Sequence, residues 1–90
     1  MPKINFTSNL KRFYPDLETV QVSGETIADA MAQIEVIHQG LIDYIIDEKG
    51  ALRKHVNIFI GNNMITDRIK LSDKLNENDE IHVIQALSGG

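Results

Sequence analysis

Apolar residues at every second position mark two segments of this chain as half-buried β-strands. Val56, Ile58 and Ile60 follow this spacing, and the segment Glu80 to Leu87 repeats it from Ile81 onward. Successive side chains of a strand point to opposite faces of a sheet, so the apolar residues of each segment share one face. The chain is therefore expected to build a sheet that packs one face on a core.

The first half of the chain predicts a β-hairpin followed by one helix. Before a loop at residues 8–16, Ile4 and Phe6 alternate with polar neighbours, and after the loop Val20 and Val22 do the same. Thr26 is a predicted helix N-cap, with Asp29 three residues later and Gly40 as the natural stop. The residues between them that fall at helical spacing on one face are Ile27, Ala30, Met31 and Ile34.

Turn sequences divide the second half into short segments. Leu41 to Ile46 predicts a short helical turn, and Asp47 to Gly50 has the composition of a turn. Residues 61–63, Gly-Asn-Asn, predict a hairpin turn. They do not form a phosphate-binding loop, because such a loop would need a lysine and a strand-to-helix context. An irregular stretch then contains three isolated core anchors, Ile65, Leu71 and Leu75, before an acidic turn at residues 76–79.

Length and charge restrict the class of protein. Ninety residues with 42% hydrophobic content fit a single domain spanning residues 1–90. Thirteen acidic and nine dispersed basic residues give a net charge of -4, which argues against nucleic acid and anionic membranes as partners. The chain contains no cysteine, which excludes disulfides and thiolate chemistry. Without an apolar run of membrane-spanning length or a signal peptide, the expected location is cytoplasmic.

Candidate metal and catalytic groups are weak in this sequence. His38, His55 and His82 fall on three different predicted elements and lack the pair spacing of a metal site. Asp47 and Glu48 are neighbours, but their position in a turn gives acidic residues a role in local hydrogen bonding. We therefore predict no metal ligands and no carboxylate dyad.

Two glycines, Gly89 and Gly90, follow the last predicted strand and give the chain an end without side chains. Such a tail can adopt backbone angles barred to other residues and can enter a narrow channel. From Leu87 to Gly90 the extended chain reaches roughly 14 Å at about 3.5 Å per residue. The sequence therefore predicts a flexible tail, residues 87–90, that presents the Gly90 carboxylate to an enzyme.

The order of the elements, with the tail leaving the last strand, is that of an α+β protein of the β-grasp or ubiquitin-like architecture, a mixed sheet wrapped around one main helix. The chain resembles the small ubiquitin-like sulfur carriers, which include the molybdopterin synthase small subunit and the carriers of thiazole and cysteine biosynthesis. The resemblance covers nearly the whole chain and is most specific at Phe13-Tyr14, Leu41 to Ile60 and Leu87 to Gly90. Gln85 and Ser88 depart from the usual family tail.

The resemblance implies a function at the tail. A ubiquitin-activating-type enzyme, using its own ATP and Mg²⁺, would join the Gly90 carboxylate to AMP, and sulfur would displace the adenylate to give a thiocarboxylate. Gly89 would keep the tail slim. A biosynthetic enzyme, in cysteine biosynthesis as first choice, would accept the sulfur. The chain would be a carrier that binds no cofactor and not an enzyme. The alternatives are a ubiquitin-like modifier conjugated through Gly90 and the small subunit of a molybdopterin synthase.

A docking surface follows from the same alternation. If the apolar residues of the two best strands face the helix, Asn57, Phe59, Ile84 and Ala86 lie on the open face of the sheet. An aromatic residue and an isoleucine there are expected to bind the activating enzyme, as this face does in the related carriers. The predicted partner-binding residues are Phe59, Ile84, Ala86, Leu87 and Ser88. The free carrier is expected to be a monomer.

Overall fold

The computed structural model describes residues 1–6 and 19–85, which contain a five-stranded sheet and one α-helix. The elements are β1 (Lys3–Phe6), β2 (Val20–Gln21), α1 (Ile27–Ile37), a 3₁₀ helix (Leu41–Tyr44), β3 (Val56–Ile60), β4 (Asn63–Met64) and β5 (Glu80–Gln85). The strand order is β2-β1-β5-β3-β4. The central pair, β1 and β5, is parallel, and the other three pairs are antiparallel. This mixed sheet with one main helix is the predicted β-grasp fold.

The core lies between the sheet and α1. Ile4 of β1 pairs with Ile81 of β5, and Val83 of β5 lies between Phe6 and Ile58. Val56 and Ile58 of β3 and Ile81 and Val83 of β5 are buried as predicted, whereas Ile60 is only partly buried against the core. The predicted apolar face of the helix is also buried: Ile27, Ala30, Met31 and Ile34. The predicted anchors of the irregular stretch also pack in or against this core: Ile65, Leu71 and Leu75.

Local hydrogen bonds begin α1 where the sequence predicts, and the helix ends at Ile37, three residues before the predicted stop at Gly40. Thr26 is extended, and its Oγ1 accepts a hydrogen bond from the backbone N–H of Asp29 at 3.2 Å. The Asp29 carboxylate reaches back to accept from the N–H of Glu25 at 3.0 Å. Because the first N–H groups of a helix lack partners within the helix, this arrangement fixes where α1 begins. After the helix, Gly40 adopts a left-handed φ of 90° and starts the 3₁₀ helix.

The β3–β4 hairpin corrects one detail of the sequence prediction. Ile60 pairs with Asn63, so the connection contains only Gly61, with a φ of 61°, and Asn62. Asn63 belongs to β4 and not to the turn. The alternation of the sequence does not reveal β4, because two residues are too few to show a period. This short edge strand adds Met64 to the sheet.

Two aspartates shape the loop after β4. The carboxylate of Asp67 accepts hydrogen bonds from the N–H groups of Ile69 at 3.0 Å and Lys70 at 2.9 Å, and from the Ser72 hydroxyl. The Lys70 N–H, followed by the Ser72 hydroxyl, lowers the pKa of Asp67 to about 2. Asp73 accepts from the N–H of Asp67 itself at 2.8 Å. These hydrogen bonds hold an otherwise irregular loop in one conformation.

Candidate functional site

The open face of the sheet carries an apolar patch that we define as Phe59, Met64 and Ile84. Phe59 pairs with Met64 on one side and with His82 on the other. Ile84 follows two residues after His82 on the same face, and it pairs with Asn57. Met64 is 50% exposed and Ile84 41%, while Phe59 is half-buried. The strand faces are therefore those predicted, and Phe59 and Ile84 are brought together.

A shallow cavity of about 270 Å³ lies within this patch. Its lining combines Phe59 and Ile84 with the hairpin turn and a central histidine: Phe59, Gly61, Asn62, His82 and Ile84. Sequence reasoning missed Met64, since β4 has no periodic signal. It also treated His82 only as a metal candidate, although its position between two open-face residues could have been read from the same alternation. The cavity gives the apolar surface a polar centre.

Hydrogen bonds orient the His82 ring. The Thr19 hydroxyl lies 2.6 Å from Asn5 Oδ1, a distance typical of an O–H donor and short for an N–H donor. This contact directs the Asn5 amide nitrogen towards His82 Nδ1, at 3.5 Å. The open face thus presents an imidazole ring, a hydrogen-bonding group, among apolar side chains.

Arg68 covers the side of β3 that the short strand β4 leaves unpaired. Its guanidinium donates to the carbonyl oxygens of Arg53 at 2.8 Å and Val56 at 2.9 Å, and to Asn57 Oδ1 at 2.9 Å. Further along, the N–H of Ile65 donates to the β3 carbonyl of Ile58 at 2.9 Å. These donors replace the strand that would otherwise have to pair there. Arg68 therefore holds in place the chain that enters β3, from Arg53 to Asn57, beside the end of β5.

The predicted tail residues fall outside the part of the chain that the structure describes. β5 is described to Gln85, which pairs with Val56. Ala86, Leu87, Ser88, Gly89 and Gly90 follow it, and their predicted roles stay predictions. Ile84 of the apolar patch nevertheless lies on β5, the strand that leads into these residues.

The histidines and acidic residues considered as metal ligands or catalytic groups form no such site among the described residues. Within residues 1–6 and 19–85, no three His, Cys, Asp or Glu side chains gather closely enough to hold a metal ion. The Asp47 carboxylate accepts from the N–H groups of Ala51 at 3.0 Å and Lys49 at 2.8 Å, and the Ala51 contact is the main cause that lowers the pKa of Asp47. Among the described helices, none is long and apolar enough to cross a membrane.

Solved structures share this fold along their whole length. A chain of the Amycolatopsis orientalis BexX/CysO complex is 16% identical, with a TM-score of 0.85 and 100% of both chains covered. Mycobacterium tuberculosis CysO is 18% identical, with a TM-score of 0.83 over 97% of this chain and 100% of its own. Small archaeal modifier protein 1 from Methanosarcina acetivorans is 27% identical, with a TM-score of 0.77 over 99% of this chain and 95% of its own.

Sequence comparison gives a family. A search of curated proteins finds no match to the chain. The model of the ThiS family, in contrast, matches residues 4–90, from the first strand to the last glycine. That range contains the sheet, the helix, the apolar patch and both tail glycines. As the resemblance to the ubiquitin-like sulfur carriers predicted, the chain belongs to the ThiS family.

Proposed function

We propose that this protein is a sulfur carrier whose cargo is bound at the carboxyl group of Gly90. The observation that carries the proposal is the family match, which spans residues 4–90 and so includes Gly89 and Gly90. A carboxylate is a poor electrophile. Its oxygen must first attack the α-phosphorus of ATP, which releases pyrophosphate and leaves an acyl-adenylate. A sulfide-level nucleophile then displaces AMP, and the product is a thiocarboxylate on Gly90.

In this proposal the chain positions the Gly90 carboxylate, and the partner enzyme carries the groups that activate it. The ATP, the Mg²⁺ and the groups that act on the adenylate belong to a ubiquitin-activating-type enzyme. The β-grasp domain holds the start of the tail on β5, while Gly89 allows the last residues to enter a channel too narrow for side chains. The loaded carrier then delivers sulfur to a biosynthetic enzyme, and cysteine biosynthesis is our first choice of pathway.

The apolar patch is the proposed docking surface for the activating enzyme. Phe59 and Ile84 offer apolar area that is partly exposed in the free chain, and Met64 can adapt its shape to a partner. His82 adds a polar side chain to the lining of the cavity, which favours a partner that places a hydrogen-bonding group there. Because β5 runs from the patch into the tail, docking at the patch would aim Gly90 at the enzyme.

A second candidate function is that of a ubiquitin-like protein modifier. It is favoured by the 27% identity to a small archaeal modifier protein. The chemistry is shared up to the acyl-adenylate. A lysine amine of a target protein would then attack the Gly90 carbonyl, directly or through a thioester, and form an isopeptide bond.

The intact mass of the protein from its native host distinguishes the two functions. A sulfur carrier gains the mass difference between sulfur and oxygen, and it reacts with a thiocarboxylate-selective label. A modifier instead appears in larger adducts, and proteolysis of these adducts leaves on the target lysine a C-terminal fragment of this chain that ends in Gly89-Gly90. The matched control is the chain that lacks Gly90, which should show neither change. Labelling of this control at the level of the intact chain would contradict the assignment to Gly90.

A further inference from the structure

His82 lies where the polar and apolar halves of the open face meet. In the sheet it pairs with Asn5 of β1 on one side and with Phe59 of β3 on the other. Its half-buried ring lines the cavity of about 270 Å³ together with Phe59 and Ile84. A partner that covers the apolar patch therefore covers the imidazole as well.

The two ring nitrogens of His82 have different surroundings. Nδ1 faces the side-chain amide of Asn5, whose Nδ2 lies 3.5 Å away. Nε2 has no hydrogen-bond partner within residues 1–6 and 19–85. In the same part of the chain, no buried side-chain nitrogen or oxygen lacks a partner. Nε2 is therefore not buried, and in the free protein it is open to water.

Docking at the apolar patch would remove this water from Nε2. A polar atom that loses its water and finds no new partner is costly, whereas an apolar atom at the same place gains from the same burial. Phe59 and Ile84 accept any apolar surface of suitable shape, but His82 rejects one that offers nothing to hydrogen-bond. The ring thus distinguishes between partners that would fit the rest of the patch equally well.

The charges near the ring do not favour a positive charge on it. Lys3 of β1 and Glu80 of β5 pair with each other one step along the same face, so their charges cancel. From the far side of β3, the Arg68 guanidinium reaches this face and donates to Asn57 Oδ1 at 2.9 Å. The open-face residues of β2, β3 and β4 that the structure describes are all uncharged: Gln21, Asn57, Phe59 and Met64.

We propose that His82 is a specificity-determining residue of the docking surface, which selects an activating enzyme that meets its open ring nitrogen with an uncharged hydrogen-bonding group. This inference rests on the proposed function, because it assumes that the enzyme docks at the apolar patch. Covering a charged imidazole with apolar groups costs more than covering a neutral one, so the ring docks in its neutral form. Histidine side chains change charge between about pH 5 and pH 8, and docking therefore weakens as the pH falls through this range.

Two substitutions of His82 separate its hydrogen bond from its titration. His82→Gln keeps a hydrogen-bonding group but cannot change charge, and His82→Leu keeps only apolar bulk. The matched control is His38→Gln, because His38 is the C-cap of α1 on the other side of the sheet. Isothermal titration calorimetry gives the affinity of each full chain for the activating enzyme at about pH 8 and about pH 5.5, and thermal melts at both values check the fold.

The expected losses differ between the two His82 variants. At high pH, His82→Gln should bind about two- to fivefold more weakly than the wild type, and His82→Leu about ten- to thirtyfold more weakly. The ratio of wild-type affinity to His82→Gln affinity should fall about five- to tenfold from the higher pH to the lower. This ratio removes any titration of the enzyme itself. The ratio of wild type to His38→Gln should stay within about twofold.

Three outcomes would overturn the role of His82 while the carrier function stands. Binding of His82→Leu as tight as that of the wild type would show that an apolar surface meets the ring. A ratio of wild type to His82→Gln that rises at low pH would show a carboxylate opposite the ring. An equal change in the ratio of wild type to His38→Gln would show that the pH effect does not come from the open face.

The pH comparison also decides the question if His82→Leu does not fold, because it uses only the wild type and His82→Gln. Pyrophosphate release by the activating enzyme with the wild-type chain separates the two levels of the argument. If it is normal while one of the three outcomes is observed, only the role of His82 fails. If the wild-type chain neither binds the enzyme nor releases pyrophosphate, the proposed function fails, and the role of His82 with it.

Discussion

Substitution of Ile84 measures how much the open face contributes to docking. Ile84 is 41% exposed in the free chain, so a partner can cover that fraction of its side chain. Full burial of an isoleucine is worth about 1.5–3 kcal/mol, and 41% of that range is about 0.6–1.2 kcal/mol. Ile84→Ala should therefore weaken binding to the activating enzyme about three- to eightfold.

A carboxylate at the same position should have a larger effect. Ile84→Asp or Phe59→Asp would place an unpaired charge in the docked interface, at a cost of about 2 kcal/mol or more, which is roughly a thirtyfold loss of affinity. The melting temperature should change little for Ile84→Asp, because the residue does not belong to the core. Isothermal titration calorimetry against the enzyme, paired with thermal melts, gives both quantities.

The matched control is Val36→Asp on α1, the helix that packs on the opposite face of the sheet. Val36 is 84% exposed, so the substitution introduces the same charge at an even more accessible apolar residue. Affinity should be retained in this variant. Unchanged affinity for Ile84→Asp would remove the open face from the mechanism, whereas an equal loss for Val36→Asp would show that the contact is not confined to that face. A collapsed melting temperature for Ile84→Asp would refute its placement outside the core.

Three further predictions concern the tail and the loop that supports β3. Deletion of Gly90, or Gly89→Val, should abolish adenylation with an unchanged unfolding midpoint, and normal pyrophosphate release by the deletion variant would refute the carrier function. Arg68→Met removes the donors to three oxygens and should lower the free energy of unfolding by about 2 kcal/mol. The expected fall in Tm is roughly 8–16 °C, and an unchanged Tm would show that these hydrogen bonds do not support β3. The pKa of Asp67 is lowered from 3.8 to about 2, so its contribution to stability is complete above about pH 4 and is lost as the pH falls towards 2. Thermal melts between pH 2 and pH 6 should show a flatter acid branch for Asp67→Asn, and parallel curves would contradict this origin of acid sensitivity.

Local patterns were sufficient to predict the main elements and their faces. Residues spaced by two define which side chains of β3 and β5 are buried, because alternation is a property of any extended chain. The start of α1 could be predicted in the same way, since Thr26 and Asp29 form its cap within four residues of each other. The same patterns placed Phe59 and Ile84 on the open face, and the tail glycines are visible without any fold.

Only the tertiary structure decided which of these elements meet. Lys3–Phe6 and Glu80–Gln85 become parallel neighbours across almost the whole chain, and no local signal specifies that pairing. Met64 joins the apolar patch through a strand of two residues, which is too short to have a period. Arg68 is a charged loop residue in the sequence, yet in the fold it bonds the carbonyl of Val56. Contacts between residues distant in sequence depend on the packing of the whole core, so the apolar patch became visible only when the sheet was complete.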